Sequence, residues 1–475
     1  MGRRRETPEA ADFGDVQGTK GIAEQYEKEQ EEQKSLICIF ASTVKHFFGP
    51  FHRLFNGVTD PRNPRQITYP LPCLAFSGIL MFLCHLKARR QIGLLLRNGP
   101  STSKLHSIFA VETFPHGDTL NDAFMKLDIP QVQETVNGMT ETLIRQKILY
   151  PYRFMDSYFV VAIDGTGVLV FQERHCPYCL TKTHDGKTLY YHDVLEAKLI
   201  TPNGFAFSLM TEFIENPGEH PTRQDCELKA FYRLAARLKD RFPRLPILLS
   251  LDGLFAGGPT FRLCRNYGWK FMIVLKDNHL SSVNSEFMAL SKLQPENHLS
   301  WRTGKTSEIR QQFRWVHDIE YRDSGSGEHI VSVIECRETK SSEQKPDETT
   351  KFRWVTNYQI TASNVIALAN EGGRIRWKIE NEGFNVQKNG GYALEHAYTE
   401  DSNAAKVFYF LLQIAHMLVQ LMDKGSLLKK AFPGGFGSAK NLSFRLLEAW
   451  RNARLSKADF DTTFPAQFQI RFDSS

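Results

Sequence analysis

Long apolar runs are scarce in this sequence, and none reaches the length of a membrane span. "CLAFSGILMFLCHL" (73–86) is too short. "VFYFLLQIAHMLVQLM" (407–422) is short and carries Gln413, His416 and Gln420, so both stretches read as buried helices of a soluble protein. Cysteine is sparse too, 8 residues in 475, and the opening "MGRRRETPEAADFGDV" lacks an apolar leader core. Disulfides are therefore not expected and a reducing, cytosolic setting is. No internal repeat is visible, which excludes solenoid and propeller arrays. Nor is the charge of one sign: 59 Lys and Arg stand against 53 Asp and Glu. The first 35 residues hold 6 basic and 9 acidic side chains, so the remainder carries about +9, a balance that suits a polyanionic partner. What is present is globular in character, 41% hydrophobic and 12% aromatic, and long enough for two or three domains with real cores.

Residues 1–35 end in "EQYEKEQEEQK" and read as a mobile polar arm or a frayed helix. From 36 to 150 the apolar spacing is helical. "DTLNDAFMKLDIPQVQETVNGMTETLIRQKIL" (118–149) has an acidic start and a basic end, so this stretch is expected to be an all-α domain that could bind DNA. The pattern changes at 158, where "YFVVAIDGTGVLVFQ" predicts two neighbouring buried strands around a Gly-rich turn. "HDVLEAKLITPNGFAFSLMTEFIE" (192–215), "LPILLSLDG" (245–253) and "KFMIVLKDN" (270–278) add strands, and "QDCELKAFYRLAARLKDRF" (224–242) is an amphipathic helix between them. Strand and helix alternation makes 151–278 the first part of a mixed α/β core. Residues 279–370, with hairpin-like alternation around Ser-Gly-Ser-Gly, read as a β-rich insertion. Residues 371–422 are expected to complete the core. Residues 423–475 form a basic C-terminal region, with 8 basic against 2 acidic residues over 423–457.

Two apolar strands end in an acid, Asp164 and Asp252, and carboxylates at strand ends of an α/β core converge on one edge of the sheet. A third acid from a later helix would complete an oxygen cage for Mg²⁺ or Mn²⁺. "RIRWKIENEGFNVQK" (374–388) offers two, Glu380 and Glu382, which lie roughly 200° apart on a helix, so only one of them can enter the site. Arg376 shares the face of Glu380. "AIDGTG", "LSLDGLF" and "RWKIENEGF" in this order resemble the three acidic motifs of the DDE transposases of bacterial insertion sequences, of the fourth insertion-sequence group, over roughly 158–422.

The resemblance implies a ribonuclease H-like mixed sheet with flanking helices, a β-rich insertion before the last catalytic helix and an all-α N-terminal domain. It also implies two divalent ions, Mg²⁺ or Mn²⁺, and DNA strand cleavage and transfer that moves the protein's own element. The partners would be double-stranded DNA, as element ends and target, and a second copy in the DNA complex. No membrane is expected, and the setting would be the nucleoid of a prokaryotic cytoplasm. Carried over residue by residue, Asp164, Asp252 and Glu380 would hold metal, with Glu382 the alternative to Glu380, and Arg376 would orient Glu380 or a phosphate. The family's last helix has Tyr, Arg three on, Glu four later and Lys seven after that. Here Gly373 stands in the place of Tyr, and Lys388 comes eight after Glu380 but six after Glu382. These departures bear on the DNA-end contact and on any hairpin intermediate. They leave room for two other readings, a transposase-derived DNA-binding protein without catalysis and a ribonuclease H-like nuclease without strand transfer.

Other residues carry weaker signals. Lys276 ends a strand near the acids and, with Lys388, is a candidate phosphate contact; a solvated strand-end Lys is the plain reading of it. His396 reads as structural. Cys176 and Cys179 in "HCPYC" have metal-ligand spacing, with His175 adjacent and His184, His192, His220 and Cys226 farther along. A structural zinc usually takes two such pairs, only one is present, and a reduced pair in a β-turn is the expectation. Phe432, Phe436, Phe444 and Trp450 interleave with the basic tail, which could hold DNA backbone or simply pack on the core. "GPSTSKLHSIFA" (99–110) could help to read terminal sequences.

Overall fold

Alternating burial along two short parallel strands organises the whole molecule. The computed structural model describes residues 16–96, 113–218, 221–303, 308–325, 327–342, 345–456, 458–459 and 469–473. Candidate segment 99–110 lies outside them, as does His220. The protein is mixed α/β, with a ten-stranded mixed sheet: β1 (Phe159–Phe171), β2 (Leu180–His184), β3 (Lys187–Ile200), β4 (Ala206–Ile214), β5 (Ile247–Leu251), β6 (Lys270–Val274), β7 (His298–Thr303), β8 (Glu308–Arg322), β9 (Glu328–Ser342) and β10 (Lys345–Thr356). Their order is β2-β3-β1-β5-β6-β10-β9-β8-β7, with β4 also on β3. β4, β3 and β1 form an antiparallel meander, β5 and β6 add parallel to β1, and β10 to β7 continue antiparallel. The expected β-rich segment therefore extends the main sheet through β10 on β6, and the Ser281–Leu293 helix precedes its strands.

β5 reads "ILLSL", with every residue buried, as a strand covered on both faces requires. Val161, Ile163, Leu249 and Leu251 face one apolar cluster, and Val160, Ala162 and Leu248 face the other. The first cluster includes the N-terminal helices Val16–Phe48, Leu71–Leu83 and Ile129–Arg145 and the C-terminal helices Ser402–Lys424 and Ala439–Asn452. The described residues of 36–150 and of the basic tail thus share a core with the sheet. Phe432 and Phe436 pack against that core, Trp450 lies in it, and Phe444 is exposed.

Part of the expected polar arm is helical: the first helix begins at Val16, stays largely exposed through its acidic stretch and enters the core from Leu36. Helix Ile129–Arg145 starts where the Asp128 carboxylate accepts from the Gln131 N–H. It covers β4, whose Thr211 and Ser208 carbonyls accept from Gln133 Nε2 at 2.7 Å and Thr140 Oγ1 at 2.6 Å. Edge carbonyls are so satisfied without another strand. Ser402–Lys424 is the one described helix long and apolar enough to cross a membrane, and 89% of its most apolar window is buried in the protein.

The second face of the sheet is covered by one irregular helical segment, 365–389. It opens as Val365–Ala367, widens into π-type turns over Leu368–Gly373, tightens to 3₁₀ over Arg374–Trp377, widens again over Ile379–Phe384 and closes as α-helix over Asn385–Asn389. A regular helix was expected over 374–388. Side-chain insertion accounts for part of the departure: Gly373 lies so close to the Trp354 indole that a Cβ there would meet three of its atoms within 2.9 Å. The indole of β10 therefore fills the space beside the position where the family pattern has Tyr. The Ser250 hydroxyl fixes the segment to β5 by donating to the Gly372 carbonyl at 2.8 Å.

Candidate active site

A mid-strand position, a strand end and a helical turn build the acidic site. β1 runs on through Asp164 and the glycines to Phe171 as one strand, not as the two strands around a turn that the sequence suggests, and only Asp252 stands at a strand end. β1 and β5 run in parallel register up to Ile163 and Leu251, so Asp164 and Asp252 are the next residues on neighbouring strands. Both follow, by alternation, the face on which segment 365–389 lies. The β1–β5 pairing stops at this point. Buried Arg376 lies beside Asp164, with Nη1 2.9 Å from Asp164 Oδ2 and 3.3 Å from Glu380 Oε1. Glu382 turns the other way. Its carboxylate lies 3.8 Å from Lys378 Nζ, and its carboxyl carbon is 3.5 Å from where a Cβ on Gly204 would sit. The geometry therefore groups Glu380, not Glu382, with Asp164 and Arg376.

Electrostatics separate the two aspartates. Burial pushes the Asp164 carboxyl up to about 6, against the pull of Arg376 and with the help of the adjoining Glu380 carboxylate. Burial also acts on Asp252, but the Lys276 ammonium, 2.9 Å from Oδ2, the Gly253 N–H and Arg376 outweigh it and hold Asp252 below the usual range. Lys276 is thus an ion-pair partner of a candidate ligand, and it remains half exposed. Lys388 pairs with Glu395 at 2.7 Å and lies near enough to Asp193 to lower its carboxyl against burial. His396 is exposed and stacks edge-on with Tyr398, apart from this site.

Two more acids lie nearby on the opposite face of the sheet, at Gly165 and Gly167, and sequence reasoning passed over both. Glu227 opens the helix Glu227–Arg241, and its carboxylate lies directly over Gly165, where any Cβ would collide with it. Burial raises the Glu227 carboxyl, and Asp193 and Asp252 raise it further. Asp193, on β3 opposite Gly167, is raised by burial. A first-turn Glu is ordinarily a helix-dipole partner and a strand Asp a solvated one, so neither had a distinguishing signal. The glycine after Asp164 was the available clue, since it leaves room for another chain's side chain.

Asp164, Asp252 and Glu380 thus share one face of the sheet with Arg376, and Glu227 and Asp193 lie across the sheet from them. The donors are all oxygen, the set that suits a hard divalent ion. In this arrangement Arg376 and Lys276 take up the carboxylates. Asp164, Asp252 and Glu380 do not bring their ligand atoms within 4.8 Å of one another. Trp377, half exposed, lies under the Arg376 guanidinium, 4.8 Å from it. No protein-family model and no curated protein matches this chain.

Proposed function

We propose that the protein is a DDE-type transposase that cleaves DNA strands and transfers them to a target, using a ribonuclease H-like core. The observation that carries this reading is the convergence of Asp164, Asp252 and Glu380 with Arg376 on one face of the sheet, from two adjacent strands and a helical segment more than a hundred residues later. The antiparallel meander extended by two parallel strands supports the ribonuclease H-like assignment. The donor set supports Mg²⁺ or Mn²⁺ held by Asp164, Asp252 and Glu380. When bound, two such ions activate the attacking oxygen and stabilise the leaving one.

The chain's own groups do the rest. Arg376 keeps Asp164 and Glu380 from repelling each other and presents a fixed guanidinium to a phosphate. Lys276, half exposed beside Asp252, can exchange that carboxylate for DNA phosphate once the acid binds a cation. Lys388 sits on segment 365–389, eight residues after Glu380 and near Asp193, and is a second phosphate contact. Glu227, across the sheet, adds negative charge near Asp252. Cleavage by water frees a 3′-hydroxyl, which then attacks target DNA, and holding two element ends requires a second copy of the chain.

The test uses DNA flanking the coding sequence as the source of element ends. The purified protein is incubated with that DNA, a target plasmid and Mg²⁺ or Mn²⁺, and joined products are sequenced. Metal-dependent cleavage with joining that disappears in Asp164→Asn supports the reading. Cleavage that never leads to joining assigns a nuclease. Tight DNA binding without strand breakage assigns a DNA-binding protein descended from a transposase.

A further inference from the structure

A second cluster lies at the other end of β1, and its chemistry differs from that of the acids. After Phe171 the chain makes the tight "HCPYC" turn and enters β2, and β2 turns back into β3, which carries His192. The turn and β3 bring four ligand atoms within 4.8 Å of one another: those of His175, Cys176, Cys179 and His192. The Cys176 and Cys179 sulfurs are 3.2 Å apart, and His192 Nε2 lies 3.3 Å from one and 3.5 Å from the other. His175 Nδ1 is 3.4 Å from Cys179 Sγ. A tetrahedral zinc with bonds of about 2.3 Å to sulfur and about 2.0 Å to nitrogen sets its ligand atoms about 3.3–3.8 Å apart. The three sulfur–nitrogen separations, 3.3, 3.4 and 3.5 Å, match that range, and the sulfurs at 3.2 Å stand about half an ångström closer than two zinc-bound thiolates. The other candidates fall away: Cys226 is exposed at the start of its helix, and exposed His184 pairs with Asp185.

We propose that His175, Cys176, Cys179 and His192 form a structural zinc site. Two thiolates and two imidazoles are the donor set that selects zinc over the hard ions suited to the acidic site. Four protein ligands fill the tetrahedron, so no position is left for water or substrate, and the site is structural. The surroundings orient the ligands. Glu215 lies 4.0 Å from His192 Nδ1 and is held by Lys406 at 2.7 Å, a carboxylate behind the imidazole. Asn216 fixes the turn, with its side chain donating to the Cys179 carbonyl at 2.8 Å and its N–H to that of Tyr178 at 3.0 Å. The Phe171 ring lies against the His175 ring, with centroids 3.8 Å apart.

The site closes β1, β2 and β3 into a clamp. His192 is the register partner of Leu169 on β1 and precedes Asp193, the partner of Gly167 three residues along β1 from Asp164. Zinc would fix this ribbon and with it Asp193 and the far half of β1. The inference does not rest on the transposase reading, since it follows from the ligand geometry alone.

The experiment is metal analysis of the full chain purified without chelators or a metal-affinity step. About one zinc per chain is expected, falling to background in Cys179→Ser and unchanged in Cys226→Ser. Should Cys179→Ser not fold, the wild-type chain still decides. Refolded with Co²⁺ in place of zinc, it is expected to show the visible absorption of a tetrahedral thiolate site. Freshly purified wild-type protein without zinc, or with Cys176 and Cys179 joined as a disulfide, would overturn the proposal.

Discussion

Asp164 and Glu196 are partners across β1 and β3, two carboxylates at one level of the sheet, yet their surroundings are opposite. Glu196 is fully buried and enclosed: Ser208 Oγ, Thr211 Oγ1 and Tyr409 Oη donate to it, and the buried Lys198 ammonium lies 3.8 Å away. Gln413 takes a hydrogen bond from Lys198 at 2.7 Å, and Gln387 and His416 continue the network under segment 365–389. Asp164 has a neighbour of its own sign at hand, Glu380, and shares one guanidinium with it. Like charges opposed across strands are unfavourable, so each must be balanced locally. Glu196 is balanced permanently by the fold, as architecture requires. Asp164 and its companions are left short of positive charge, which is what a site for an exchangeable cation requires.

The comparison breaks most visibly through activity. Asp164→Asn, Asp252→Asn or Glu380→Gln is expected to lower metal-dependent strand cleavage by on the order of 10⁴-fold without unfolding the protein. Plasmid-nicking rates beside a thermal melt check this, and retained cleavage would remove the acids from the mechanism. Glu196→Leu should do the reverse and act on folding. It leaves Lys198 buried without its carboxylate and costs about 3–5 kcal/mol in denaturant unfolding.

A smaller effect concerns pH. Folded Asp164 titrates near 6, above an unfolded aspartate at about 3.9, so the folded chain holds that proton more tightly. The stabilisation is complete below about pH 4 and is lost as pH rises through about 6. Without divalent metal, Asp164→Asn should therefore be more stable than wild type at pH 8, by about 1–3 kcal/mol. The gap should close toward pH 4, and equal stabilities at both pH values would sink the account. Smallest of all, Glu382→Gln should change cleavage by no more than about twofold, since Lys378 and the Gly204 turn, not Asp164 and Arg376, surround it.

How much of this was legible in the sequence depends on range. Asp164 and Asp252 stand out because apolar strands run straight into them, and the Arg376–Glu380 spacing points to one face. Helical angles separate Glu380 from Glu382, and the irregular turns of 365–389 keep them apart. Glu227 and Asp193 were invisible because their types are ordinary where they stand and only folding brings Glu227 near Asp193 and Asp252. His192 joins Cys176 and Cys179 through the β2–β3 hairpin, a pairing that single-CxxC reasoning could not supply. The sharing of one core by residues 36–150, the sheet and the tail was hidden as well, because amphipathic helices do not reveal which surface they cover. Gly373 looked like a missing Tyr, whereas Trp354 from β10 occupies the adjoining space.

The position of β10 against β6 also sets a schedule for the newborn chain. Until β10 emerges from the ribosome, β6 is an open edge, with unpaired backbone groups beside a nearly finished half-sheet. At roughly 5–20 residues per second, Glu380 follows Asp252 by on the order of 10 s. Through that interval the nascent protein already holds both aspartates but lacks Glu380 and Arg376. If the acids act as proposed, an unfinished copy is unarmed until that segment has been made and has folded onto the sheet.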